Sequence, residues 1–175
     1  MQKITPFLWF DSQAEEAAKF YVSVFGNSRI LKTVRYGEAG PGPAGSVMTV
    51  VFELNGVQFT ALNGGPLHQF SEAISFVVNC QSQAEVDTLW EKLSAGGRPD
   101  RCGWVKDRYG LSWQVVPTVL PVLLSDPDPV KAQRGMAAML KMSMLDIAAL
   151  VMAHAGPCAR TGPAAAAGSP RHFAS

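Results

Sequence analysis

The sequence predicts an α+β protein made of two tandem βαβββ modules that curl into one curved mixed sheet around a hollow. Three observations predict it. A buried strand, a helix-start signal and an amphipathic stripe follow one another in residues 4–25, and the same order restarts in residues 73–93. Each run is followed by three short strand candidates. A module alone would leave one sheet face bare, so joining the two edge to edge buries the most apolar surface.

Residues 4–10 are rich in aromatic and branched side chains and read as a strand. Ser12-x-x-Glu15 has the form of a capping box, in which hydroxyl and carboxylate each satisfy a first-turn N–H. Ala17, Phe20, Tyr21, Val24 and Phe25 then share one helical stripe, and Gly26 is expected to supply the left-handed stop. Residues 29–36, 46–54 and 57–63 are strand candidates. Asn55-Gly56 joins the last two as a two-residue hairpin, because both residues tolerate positive φ.

In the second run, residues 73–79 read as a strand, Ser82-x-x-Glu85 as a capping box, and Val86, Leu89, Trp90 and Leu93 as a stripe ended by Gly96-Gly97. Strands are expected at 99–101, 103–106 and 111–116, with a turn at Asp107-Arg108-Tyr109-Gly110. Beyond Pro117 the pattern changes. Asp128-Pro129 reads as an N-cap with proline at the first helical position, Met136, Met139 and Leu140 as the stripe behind it, and residues 145–153 as a further helix stopped by Gly156-Pro157. The division expected is a domain over 1–118 (modules 1–66 and 67–118), a C-terminal helical extension over 119–155, and an Ala/Gly/Pro/Ser-rich disordered tail over 156–175.

Composition narrows the function. Of 175 residues, 47% are hydrophobic and 17% charged, the range of ordinary globular domains. Fifteen Lys and Arg are scattered among fourteen Asp and Glu, which leaves no basic footprint for nucleic acid. Cys80, Cys102 and Cys158 have neither disulfide-framework nor C-x-x-C spacing, and a reducing cytoplasm is the simplest compartment. The N-terminus lacks the features of a signal peptide, and Lys141 and Asp146 interrupt the apolar run 136–151, so no membrane partner is expected.

Trp9-Phe10 through Glu16-Ala17 to Phe20-Tyr21, then Ala61-Leu62-Asn63-Gly64-Gly65-Pro66, Ala73-Ile74-Ser75-Phe76, Val86-Asp87-x-x-Trp90 and Cys102-Gly103-Trp104-x-x-Asp107-Arg108-Tyr109-Gly110-Leu111-Ser112-Trp113-Gln114 together resemble the PhnB-like family. This family carries the label 3-demethylubiquinone-9 3-methyltransferase. It belongs to the vicinal-oxygen-chelate, or glyoxalase, bleomycin-resistance and dioxygenase, superfamily. The resemblance extends over residues 4–150 and implies that superfamily's fold and a homodimer paired through its sheets.

The superfamily's usual site is a divalent metal held from the first, fourth, fifth and eighth strands. By this resemblance the positions fall near Ile4, at Ala61, near Ala73 and at Gln114. One neutral amide is too little for a tight divalent site, so neither a metal of that type nor another cofactor is expected. The reservation is His68, which could join Glu72 if its loop folds inward. Strand parity from Gln114 puts Ser112, then Phe59, Ala61 and Asn63, then Ala73, Ser75 and Val77 into the hollow. That lining suits a small aromatic or quinone-like ligand.

Trp9, Phe70 and Trp104 are rim candidates, with a core role as the plainer reading of each. Asp107 reads either as a base or as turn chemistry, the latter being simpler. Cys102 lacks an evident activating partner. The literal G-x-G-x-x-G at Gly40–Gly45 carries prolines and precedes a strand, so it reads as a loop, at most a flap. No glycine-rich turn of a doubly wound sheet is present to hold S-adenosylmethionine.

Three functions fit these readings. The first is metal-independent binding of a small molecule by Trp9, Ala61, Asn63, His68, Phe70, Ser75, Trp104, Asp107, Ser112 and Gln114. The alternative is an enzyme on the same pocket, a methyltransferase by the family label or a glyoxalase- or dioxygenase-like activity. The third is a dimeric scaffold with a vestigial pocket.

Overall fold

The computed structural model describes residues 2–157. The first module comprises β1 (Phe7–Phe10), α1 (Ala14–Val24), β2 (Ser28–Arg35), β3 (Val47–Leu54) and β4 (Val57–Asn63). The second comprises β5 (Phe76–Cys80), α2 (Gln83–Ser94), β6 (Arg98–Pro99), β7 (Trp104–Lys106) and β8 (Ser112–Pro117). Hydrogen bonding orders them as β1-β4-β3-β2 and β5-β8-β7-β6, so the predicted βαβββ unit occurs twice with one topology. In both, the first strand runs parallel to the last and the remaining pairs are antiparallel.

No strand pairing joins the two sheets, so within this chain the edge-to-edge union expected from the sequence gives way to a union through side chains. One buried cluster runs through both modules. Tyr21 on α1 stacks on Phe52 of its own sheet and, at 5.4 Å, meets Trp113 of the other sheet, while Phe59 meets Phe76 edge-on at 5.2 Å. Each sheet therefore has a helix face sunk in a common core and an open face.

The Asn55-Gly56 hairpin forms as predicted, with φ of 45° and 85°. The two helix starts differ. Ser82 Oγ accepts from Glu85 N at 3.3 Å and the Glu85 carboxylate accepts from Gln81 N at 2.7 Å, a box closed one residue early. At α1 the expected Ser12 box is absent. Asn63 Oδ1, at the end of β4, accepts from Ala14 N at 2.7 Å instead, and Glu15 pairs with Lys19 at 2.9 Å. The left-handed residue after α1 is Asn27 (φ 51°), not Gly26.

Three helices follow: α3 (Val119–Leu124), which the sequence reading missed, α4 (Pro129–Met139) and α5 (Ile147–Ala155). Asp128 caps α4 through Val130 N and Lys131 N as expected. The expected stripe does not hold, because Met136 and Leu140 are 40% and 55% exposed. The buried residue of α4 is Gly135, which faces Leu123 and Leu124 of α3. The extension forms its own core from Leu120, Leu123, Leu145 and Leu150 and closes it on Val116 of β8. Most of the tail predicted over 156–175, with Cys158, lies outside the described residues. Among those described, no helix is long and apolar enough to cross a membrane.

Candidate functional site

The open faces follow from burial and register. In β8, Trp113 and Val115 point into the shared core, so Ser112, Gln114 and Val116 face the other way. Trp104 pairs with Gln114 and Lys106 with Ser112 across β7, and Val77 with Gln114 across β5. Ser75 joins this face through its hydroxyl, 2.9 Å from Gln114 Nε2. Of the second module's predicted lining, Ser75, Trp104, Ser112 and Gln114 are thus together.

The first module is offset by one residue. Phe59 and Ala61 are 5% and 0% exposed and lie in the core under α1, so Ala61 cannot line a hollow. Asn63 is the cap of α1, with Nδ2 donating to Val47 O at 3.1 Å. The open face of β4 carries Gln58, Thr60 and Leu62, and that of β1 carries Phe7 and Trp9. A signal for this was present in the letters. Ser-Gln-Ala-Glu stands at both 12–15 and 82–85, and four residues before each serine come Leu8 and Val78, whose parallel partners Ala61 and Val115 are both fully buried. The counterpart of Gln114 is therefore Thr60, and Gln58-Phe59-Thr60-Ala61 answers Ser112-Trp113-Gln114-Val115 in polarity.

Trp9 does sit on the open face. Its Nε1 donates to Gly65 O at 2.8 Å, its ring covers Gly64 so closely that a Cβ there would stand 2.3 Å away, and exposed His68 meets it edge-on at 4.9 Å. Phe70 takes the plainer role, edge-on to buried Phe10 at 5.2 Å.

Asp107 is removed from any ligand surface. It is 3% exposed, and both carboxylate oxygens are used: Oδ1 accepts from Tyr109 N and Leu111 N, and Oδ2 accepts from Tyr21 OH and Trp113 Nε1, each at 2.8 Å. Burial pushes its pKa above its ordinary value, against the pull of those four bonds. Burial and the facing Asp107 in turn hold the Tyr21 phenol well above its ordinary value. The turn reading is right, and Asp107 additionally ties α1 to the other module.

Two cavities among the described residues bear on the site. One, of about 970 Å³, lies between the free edge of β5 and the end of α1 with the β3–β4 hairpin. The other, of about 560 Å³, is lined by Pro41, Gly42 and Pro43 beside Tyr36, so the proline-glycine loop borders a different hollow from the one predicted. Neither brings Trp9 and Gln114 together.

The family model described as 3-demethylubiquinone-9 3-methyltransferase matches residues 2–116. The chain belongs to this family. A PhnB protein of Bacillus cereus, described as a candidate 3-demethylubiquinone-9 3-methyltransferase, is 39% identical over 67% of this chain and 100% of its own, with a TM-score of 0.62. A Pseudomonas aeruginosa protein shares the fold at 22% identity, covering 67% of this chain and 98% of its own, with a TM-score of 0.56. No curated protein matches.

The α+β class with two tandem βαβββ modules, read from the sequence, is the one observed. The family match ends at residue 116, short of the 4–150 read from the sequence, and α3–α5 lie beyond it. The superfamily's metal does not fit the residues present. Among the described residues no three His, Cys, Asp or Glu side chains converge. Of the donors considered, Gln114 is bonded to Ser75, Glu72 to Lys106 and Arg98, and His68 stands against Trp9.

Proposed function

We propose that this family member binds a small, partly aromatic molecule on its open sheet faces without a metal, as a homodimer. The observation that carries the reading is the contrast between the faces. The helix faces are packed shut, whereas the open faces carry an aromatic ring opposite a hydrogen-bonding group twice: Phe7 opposite Thr60, with Trp9 next along β1, and Trp104 opposite Gln114, which bonds Ser75. Aromatic surface with a few fixed polar atoms suits a ring bearing oxygens, such as a quinone or quinol. The free edges of β1 and β5, flanked by Phe7 at 60% and Val77 at 51% exposure, support pairing with a second copy, which would set one module's open face beside another's.

Titration with a short-chain benzoquinone tests the reading. Trp9 and Trp104 are on open faces while Trp113 is in the core and Trp90 packs against it, so saturable quenching that falls on Trp9→Phe and Trp104→Phe is expected. Binding weaker than millimolar, together with no ligand co-purifying in native mass spectrometry from the host, would defeat it. Size exclusion checks the dimer.

The family's description favours a second reading, methyl transfer to a quinol. The sheets here are two mixed four-stranded ones with no glycine-rich strand-to-helix turn, which is against the common S-adenosylmethionine site. Calorimetry with S-adenosylmethionine decides, heat of binding favouring the transferase.

A further inference from the structure

Four side chains form a two-by-two array on the open face of the second module. Trp104 and Lys106 are two apart on β7, and Gln114 and Ser112 stand opposite them on β8. Cross-strand neighbours lie roughly 5 Å apart and same-face residues along a strand about 7 Å apart, so the array is the size of one aromatic ring with a polar substituent.

Its polar half is unevenly satisfied. Ser112 is 2% exposed, and its hydroxyl has no hydrogen-bond partner. A buried hydroxyl left unpaired is costly, which marks a place where another oxygen belongs. Lys106 Nζ, across the strand from it, is held by Glu72 Oε1 at 2.8 Å, and Arg98 shares the same oxygen at 3.2 Å. Two cations thus share one carboxylate, and Lys106, first through its hydrogen bond, draws the Glu72 pKa below its ordinary value. Glu72 belongs to the exposed segment before β5, whose Ser75 hydroxyl likewise engages the Gln114 amide. This segment places a carboxylate and a hydroxyl of the chain's own on the face's cation and amide.

We infer that this face takes an aromatic acid, its ring on Trp104 and its carboxylate at Lys106 and Ser112, displacing Glu72. The inference rests on the proposed ligand-binding reading and names the ligand class. Glu72 is then a counterion that the ligand must replace, and Arg98 stays beside Glu72 after the exchange. No bond is made or broken.

The test uses 4-hydroxybenzoate and its methyl ester as probes, titrated by calorimetry into the full chain. The acid is expected to bind at least tenfold more tightly than the ester, the gain of a charge-assisted contact of about 1.4 kcal/mol or more. Lys106→Met and Ser112→Ala each remove most of that preference, and circular dichroism reports an intact fold in each. Glu72→Gln tightens the acid by roughly threefold to tenfold, because its competitor is gone. Equal binding of acid and ester, unchanged in Lys106→Met, would overturn the acid assignment while the ligand-binding reading stands. Binding of neither probe to any variant would remove both.

Discussion

The two modules begin their helices with the same four letters and solve the same problem differently. At 82–85 the Ser-Gln-Ala-Glu run caps itself, hydroxyl to Glu85 N and carboxylate to Gln81 N. At 12–15 the cap comes from Asn63, 49 positions away along the chain, and Glu15 turns to Lys19. A local motif states what a segment can do in isolation. A side chain delivered by the sheet can take its place, and β4 delivers Asn63 to the start of α1 because β4 pairs with the β1 strand that leads into that helix. The first module thus leans on distant groups for its helix start and, through Tyr21, for its anchor. The second caps its helix locally, and it is tied to the extension at Val116 and through Gln83, whose amide bonds Leu145 O and Ile147 N.

The sharpest way to break this dependence is at Asp107, where the anchor of the first module meets the turn of the second. Asp107→Ala would orphan the Tyr21 hydroxyl, the Trp113 indole N–H and two amides, and should cost about 3 kcal/mol or more, measured by urea unfolding. Asp107→Asn keeps the shape but sets an amide donor against the Trp113 donor, for about 1–3 kcal/mol. The pH dependence has a definite sign. A carboxyl whose folded-state pKa is raised takes up its proton in the folded chain first, so this group adds stability as pH falls from neutrality. The margin of the wild type over Asp107→Asn should therefore widen between neutral pH and the ordinary carboxylate range, and a narrowing margin would contradict the direction given.

The caps offer a gentler comparison. Asn63→Ala removes a part-buried side chain that bonds both Ala14 N and Val47 O, and about 2 kcal/mol is expected. Ser82→Ala removes one exposed bond of 3.3 Å and should cost about 0.5–1 kcal/mol. Equal losses would mean that the distant cap carries no more than the local one.

The same contrast explains what could be read from the sequence. The order of the strands and of α1 and α2, the Asn55-Gly56 hairpin and the Asp128 cap are short-range features and appear as the letters place them, although β1 and β5 begin at Phe7 and Phe76, three residues later than expected. The second module's open face was legible because Trp113-Gln114 alternates cleanly between an aromatic core residue and a polar one. The family position that falls on Ala61 is one residue off the first module's open face, where Thr60 matches Gln114 in kind as Phe59 matches Trp113. The role of Asp107 and the absence of pairing between β1 and β5 depend on how two finished modules meet, which no local pattern encodes. Helix α3 was missed because Val-Leu-Pro-Val-Leu-Leu has no polar face; its apolar side chains serve a core made with α4 and α5.

The smallest effect is the most discriminating one. Ser12 stands where the sequence puts a cap, yet its side chain caps nothing, since no side-chain cap bond forms at α1 and Asn63 serves Ala14 N. Ser12→Ala should change unfolding free energy by no more than about 0.3 kcal/mol, the scale of an exposed site without a special role. In Asn63→Ala the situation changes, because the Ala14 amide is freed and Ser12 and Glu15 become the nearest groups able to close a box. The double variant should then lose more than the sum of the single ones, the mark of two groups serving the same helix end in turn. Strict additivity would show that Ser12 never substitutes for Asn63, and that the shared Ser-Gln-Ala-Glu run is a cap in the second module alone.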